Sequence, residues 1–150
     1  MKKNAVFSKK KIQAHGFLND PTEYKRSFSR GLKISLGPFS LVIISGTASV
    51  GRNGESLHKG NFNAQAQRTF NNLTALLESE GACWNNVVQT RCYLKNMKDY
   101  EKFNVVRNKF YKDNKIKIFP ASVCIEAGLC RPELLVEIEA LAICNKIISK

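Results

Sequence analysis

Read with a period of two, residues 120–142 (PASVCIEAGLCRPELLVEIEALA) predict two strands on either side of a turn. In the first, Val123, Ile125 and Ala127 alternate with Ser122, Cys124 and Glu126. In the second, Val136, Ile138, Ala140 and Ala142 alternate with Leu135, Glu137, Glu139, Leu141 and Ile143. If the two segments pair, one sheet face is apolar throughout and the other mixes a thiol and carboxylates with large aliphatic residues. A face left to water would not carry Leu135, Leu141 and Ile143 beside its acids. The pattern therefore predicts a second face covered by another subunit, with carboxylates lining a crevice there.

Upstream, residues 32–36, a turn at Gly37 and Pro38, and residues 41–45 predict a hairpin. The run Leu41, Val42, Ile43, Ile44 predicts a central strand buried on both faces. Residues 46–60, with Gly51, Asn53 and Gly54, have loop chemistry. Ala66, Phe70, Leu73 and Leu77 mark one stripe of a helix over residues 63–80, stopped by Gly81. Residues 86–94 predict a strand with Val88, Thr90, Cys92 and Leu94 on one side, and Tyr100, Phe103, Val106 and Phe110 a second, shorter helix. The order β-β-α-β-α-β-β is an α+β layout in which both helices cover one face of a mixed sheet. The face left over is buried most economically by self-association with closed cyclic symmetry, and the pattern leaves dimer and trimer open.

At 150 residues and 43% hydrophobic, the chain suits one domain with a real core. The expected division is a polar, basic N-terminal arm over residues 1–27, with room for a short strand, and a domain over residues 28–150. The formal charge of +12 is weighted toward the arm and the residues just after it: residues 1–33 carry nine Lys and Arg against Asp20 and Glu23. Such charge suits a polyanion such as RNA, or equally a solvated extension; no aromatic interleaving accompanies it. No apolar run reaches membrane-spanning length, and the N-terminus lacks the apolar core of a secretory signal, so the expected location is cytoplasmic with no membrane partner. The five cysteines (Cys83, Cys92, Cys124, Cys130, Cys144) contain no C-x-x-C pair and are expected as reduced thiols. His15 and His58 are far apart and near no cysteine cluster, which argues against a zinc site. No metal or cofactor is expected.

Several residues carry chemistry. Glu137, inside an aliphatic strand, suits general acid–base work if desolvation raises its pKa, or a structural carboxylate bonded to a neighbour. Glu139 reads as structural. Cys124 is a small apolar filler or a pocket-lining thiol, since no histidine is placed to activate it. Asn104 sits at the boundary of the second helix, where it presents an amide to a crevice or to water. Ser45, Gly46 and Thr47 end a strand and offer backbone amides or a turn. Arg131, beside Pro132, reads as a carboxylate ligand or an exposed loop residue.

Taken together, IISGTASV with its following G-x-G turn, NAQAQRTFNNLTALLESEGACWNNVVQTRCYLKNMKDYEKFN, and PASVCIEAG with LLVEIEALA resemble the Rid (YjgF, L-PSP) family over residues 28–143. The resemblance implies a homotrimer of chorismate-mutase-like fold with sites between subunits. In the enzymatic branch it implies hydrolysis of reactive enamines and imines to ketoacids and ammonia. An arginine in P-A-R-S clamps the substrate carboxylate, and a glutamate in V-E-I-E, with the backbone at a cysteine, positions water. The matching positions are Phe28 for an aromatic wall, Gly46, Asn104, Cys124 and Glu137; the arginine position holds Ser122. A hydroxyl does not replace a bidentate guanidinium, at a cost of about 1.5–3 kcal/mol for the lost charged hydrogen bond. Arg131, Arg91 or Arg30 would have to re-supply the charge. The expectation is a pocket for a small carboxylate-bearing metabolite, with weak or altered deaminase-like activity. RNA binding or cleavage through the basic arm, and a non-catalytic regulatory or chaperone-like trimer, stand as alternatives.

Overall fold

The structure, a computed structural model, describes residues 8–145. Six strands form one mixed sheet: β1 (Ser8–Lys11), β2 (Gly31–Leu36), β3 (Phe39–Ala48), β4 (Val87–Leu94), β5 (Ala121–Glu126) and β6 (Val136–Asn145). Helices α1 (Phe62–Glu78) and α2 (Tyr100–Asp113) lie on one face. The strand order is β1-β2-β3-β6-β4-β5, antiparallel except for β4 and β5. No helix among the described residues is long and apolar enough to cross a membrane.

The predicted pairing of the last two strands is corrected here. β5 lies parallel to β4, which the α2 crossover between them dictates, since a parallel connection needs a long, usually helical, link. β6 instead enters antiparallel between β3 and β4. The register pairs Ser122 with Thr90 and Cys124 with Cys92, so both side chains join the helix-covered side. Val123 and Ile125 take the opposite, helix-free side and are roughly half exposed. The thiol and the carboxylates predicted on one face are therefore on two.

The N-terminal segment also departs from a loose arm. β1 extends the sheet through β2, and Ile12, Ala14 and Leu18 enter the core. Asp20 anchors the chain beyond them: its carboxylate accepts from Thr22 N at 3.0 Å and Gln13 Nε2 at 2.6 Å, and pairs with Lys11. It begins the short turn Pro21–Tyr24 as a reciprocal cap with Glu23. The lysine-rich strand is thus tied down by acids, Lys10 and Lys33 converging on Glu80 in the same way.

The predicted stripes otherwise locate the core. Ala66, Phe70, Leu73 and Leu77 are buried against Val42 and Ile44 of β3 and Ile138, Ala140 and Ala142 of β6. Asn61 caps α1 by accepting from Ala64 N. Phe70 joins the helices, its ring 4.6 Å from that of Phe110 and 5.6 Å from that of Trp84. Two details differ. A register shift between Val87 and Gln89 turns Val88 outward, leaving Val87 in the core. In β3 only Val42 and Ile44 of the aliphatic run are buried, while Ile43 faces the helix-free side, 39% exposed.

Candidate functional site

The pairing of β3 with β6 runs evenly from Asn145 back to Ala140, opposite Ile44, and resumes at Ile138, opposite Thr47. Two residues, Ser45 and Gly46, thus oppose one, a β-bulge of the kind that bends a strand and re-aims its neighbours. Ser45 is fixed by its N–H donating to Arg30 O and its hydroxyl to Ser29 O. The bulge brings Gly46 against Glu137 so closely that an added Cβ would collide with Glu137 Oε1.

Glu137 and Gly46 line a cavity of about 500 Å³, together with Tyr24, Phe28, Leu134 and Arg131. The Glu137 carboxyl is pushed above the usual carboxylate range, first by burial and then by the charge of Glu139. Glu139 itself forms a 3.2 Å ion pair with Arg91. Tyr93, opposite Glu137 in the β4–β6 register, is also pushed up, by burial and by Glu139.

The cavity wall rests on Arg30. This guanidinium is buried, donates to Asn19 O at 3.2 Å and Asn19 Oδ1 at 3.1 Å, and lies 5.9 Å from the ring centroids of both Tyr24 and Phe28. Burial and the nearby charge of Arg131 pull its pKa down. Arg131 Nη1 donates to Gly54 O at 2.7 Å and Ser56 Oγ at 3.0 Å, which orients the side chain at the cavity edge. From below, buried Asn72 donates to Ala48 O and Val50 O, residues of the same wall. Of the sequence candidates, Phe28, Gly46, Arg131 and Glu137 come together here.

Asn104, Ser122 and Cys124 form a second group, across the sheet on its helix-covered side at the β5 edge. Thr90 Oγ1 donates to Ser122 Oγ at 3.0 Å, and Cys92 Sγ lies 3.9 Å from the same oxygen. Burial, with a smaller contribution from Cys92, pushes the Cys124 thiol up to about 11. It is protonated at neutral pH and unsuited to nucleophilic attack. Sequence reasoning missed Arg107 in this group. Its Nη2 donates to Asn104 Oδ1 at 2.6 Å and its guanidinium lies 5.1 Å from the Phe103 ring centroid. The available signal was its position, four residues after Phe103 and three before Phe110, on the shoulder of the buried stripe. Among the described residues, no three His, Cys, Asp or Glu side chains are grouped to hold a metal ion.

A family model described as "Endoribonuclease L-PSP" matches residues 12–144, spanning β2 through β6 and the Gly46, Glu137 pair. The chain belongs to the Rid (RutC/YjgF/L-PSP) family. A RutC family protein of Pyrococcus abyssi is 30% identical over 114 residues, covering 71% of this chain and 87% of that protein. A Pseudomonas aeruginosa protein of unknown function, PA3499, shares the fold with a TM-score of 0.73 at 28% identity, covering 91% of this chain and 93% of its own. Escherichia coli TdcF, crystallised with bound serine, does so with a TM-score of 0.72 at 19% identity, covering 91% and 99%. The match from residue 12 agrees with the burial of Ile12: the Rid domain begins ahead of the 28–143 span recognisable in sequence.

Proposed function

We propose that this Rid-family protein takes up a small carboxylate-bearing metabolite in clefts between copies of itself and hydrolyses, weakly or with altered specificity, an enamine or imine there. The observation that carries the reading is the half-buried Glu137 carboxyl, of raised pKa, lodged over Gly46 in a cavity walled by Phe28 and edged by Arg131. The serine held by TdcF, a protein of the same fold, supports a ligand of amino-acid size and charge.

In the proposed step, Glu137 accepts a proton from water as the water oxygen adds to the C=N carbon. The proton passes to nitrogen to give a carbinolamine, whose hydroxyl proton is then relayed by Glu137 to the amine as the C=O bond forms and the C–N bond breaks, releasing ammonia and a ketoacid. A raised pKa suits this exchange, because it makes the carboxylate a stronger proton acceptor than an ordinary one. The exposed aliphatic residues of the helix-free face, Ile43, Ile143, Val123 and Ile125, support a neighbouring copy packed on that face. In a cyclic arrangement the β5 edge of one copy closes the Glu137 cavity of the next, reuniting the two groups of site residues. A homotrimer is the assembly the family resemblance favours.

The test is ammonia or semicarbazone release from freshly generated 2-aminoacrylate and 2-iminobutyrate. Parent protein is expected to exceed the uncatalysed rate, and Glu137→Gln to fall to it. Equal rates for the two proteins would remove Glu137 from the chemistry.

A further inference from the structure

The arginines near the site differ in what already occupies them. Arg91 is paired with Glu139, Arg30 is held by Asn19 and two rings, and Arg131 is bonded to Gly54 O and Ser56 Oγ. Arg107 has no carboxylate within ion-pair distance among the described residues. The acceptors beside it are neutral: the Asn104 amide at 2.6 Å and the Cys92 thiol. Half-buried on α2, it faces hydroxyls and thiols: its positive charge bears on Cys92, Cys124 and Tyr111. Burial raises all three, leaving them neutral and Arg107 without an internal counter-ion.

The surroundings fit an incoming anion. Thr90 donates to Ser122 Oγ, whose other neighbour is the weak Cys92 Sγ at 3.9 Å, so a charged acceptor would compete readily for the Ser122 hydroxyl, and Ser122 is exposed where Thr90 is buried. β5 pairs only with β4 among the described residues, which leaves alternate N–H groups on its outer edge without a strand partner. The Phe103 ring and the Asn104 amide hold the guanidinium plane in place, so little side-chain freedom is lost on binding.

We infer that Arg107, with Ser122, is the carboxylate-binding element of this protein, the guanidinium reaching the ligand from α2 rather than from a strand. The inference rests on the proposed cleft for the nature of the ligand. It goes beyond it in assigning the anion to Arg107 and not to Arg131.

The test is calorimetric or NMR titration of the full chain with 2-oxobutyrate and with uncharged 2-butanone. Arg107→Met keeps the aliphatic stem that packs on Phe103 and removes the charge, and Arg107→Lys restores a charge without the fork. Thermal unfolding confirms that each variant is folded. Parent protein is expected to prefer 2-oxobutyrate, Arg107→Met to lose about ten- to a hundredfold in affinity for it with 2-butanone binding unchanged, and Arg107→Lys to fall between. Unchanged 2-oxobutyrate affinity in folded Arg107→Met overturns the inference. If Arg131→Met instead abolishes the preference, the cleft reading stands and the Arg107 assignment falls. If parent protein does not distinguish the two probes at all, both fall.

Discussion

Gly46 and Glu137 share a volume that holds a carboxylate or a β-carbon but not both. The bulge in β3 creates the contact, and the absence of a side chain at 46 lets the carboxylate turn into the cavity. Gly46 is not among the glycines of positive φ, so alanine meets no backbone penalty there, and the obstacle is the carboxylate alone. Gly46→Ala is therefore expected to push Glu137 aside, cutting turnover at least about tenfold, while stability stays within about 1 kcal/mol of the parent. Parallel rate and denaturant measurements check this; a fully active alanine variant would show that the Glu137 position is immaterial.

The raised pKa of Glu137 has a defined sign. The folded protein holds the proton more tightly than the unfolded chain does. The group therefore stabilises the fold below its unfolded pKa, and that contribution is lost as pH rises through the folded one. Glu137→Gln is expected to be more stable than the parent at pH 7, with the difference vanishing in acid. Because hydrolysis begins with the ionised form, kcat/KM should fall on the acid side with a midpoint above the ordinary carboxylate range. Chemical unfolding across pH and a pH–rate profile measure the two effects separately.

Asn72 connects core to cavity. Fully buried on α1, it donates to Ala48 O at 2.8 Å and Val50 O at 3.0 Å, the stretch immediately after the bulge. Asn72→Leu keeps the volume but removes two buried hydrogen bonds, leaving Ala48 O with the Val50 N–H alone and Val50 O with Arg68 Nε alone, a loss of about 1–3 kcal/mol. The freed segment lines the cavity, so ligand affinity should fall along with stability. Variants at equally buried Leu73 should lose stability while affinity per folded molecule holds. Titration at a temperature where all are folded distinguishes these outcomes.

The hairpin, both helices and β6 were legible because their apolar residues repeat at 2 or 3.6 over enough positions to identify a face. Alternation says nothing about which strand lies alongside, and that is where Ser122 and Cys124 were misplaced. The faces of β5 were read correctly, but their assignment to sides of the sheet depended on pairing with β6 rather than β4. β1, allowed for only as room for a short strand, could not be located because its residues, Ser8–Lys11, are exposed and basic, and the buried Ile12, Ala14 and Leu18 all lie beyond it. Glu137 and Gly46 stood out in sequence as an acid among aliphatics and a strand-end glycine. Their mutual contact depends on a bulge that no local pattern announces. Arg107 resembled any solvated helical arginine, since what distinguishes it is the lack of an acid nearby in space.

The helix-free face makes the last prediction. Ile43, Val123, Ile125 and Ile143 are each roughly two-fifths to half exposed there, and Leu141 with Ile43 borders a shallow depression of about 210 Å³. Arg91 and Glu139 neutralise one another beside it, so little net charge opposes contact between copies. Burying such a face in a closed assembly removes apolar area worth about 25 cal/mol per Å² and covers the exposed edge of β5. The purified chain of 16.9 kDa is expected to sediment at micromolar concentration as a small closed oligomer. Ile143→Asp, at an exposed position that does not line the Glu137 cavity, should release folded protomers and abolish turnover together. Protomers that kept full activity would mean that one chain suffices for catalysis, and the cleft between copies would have no part in it.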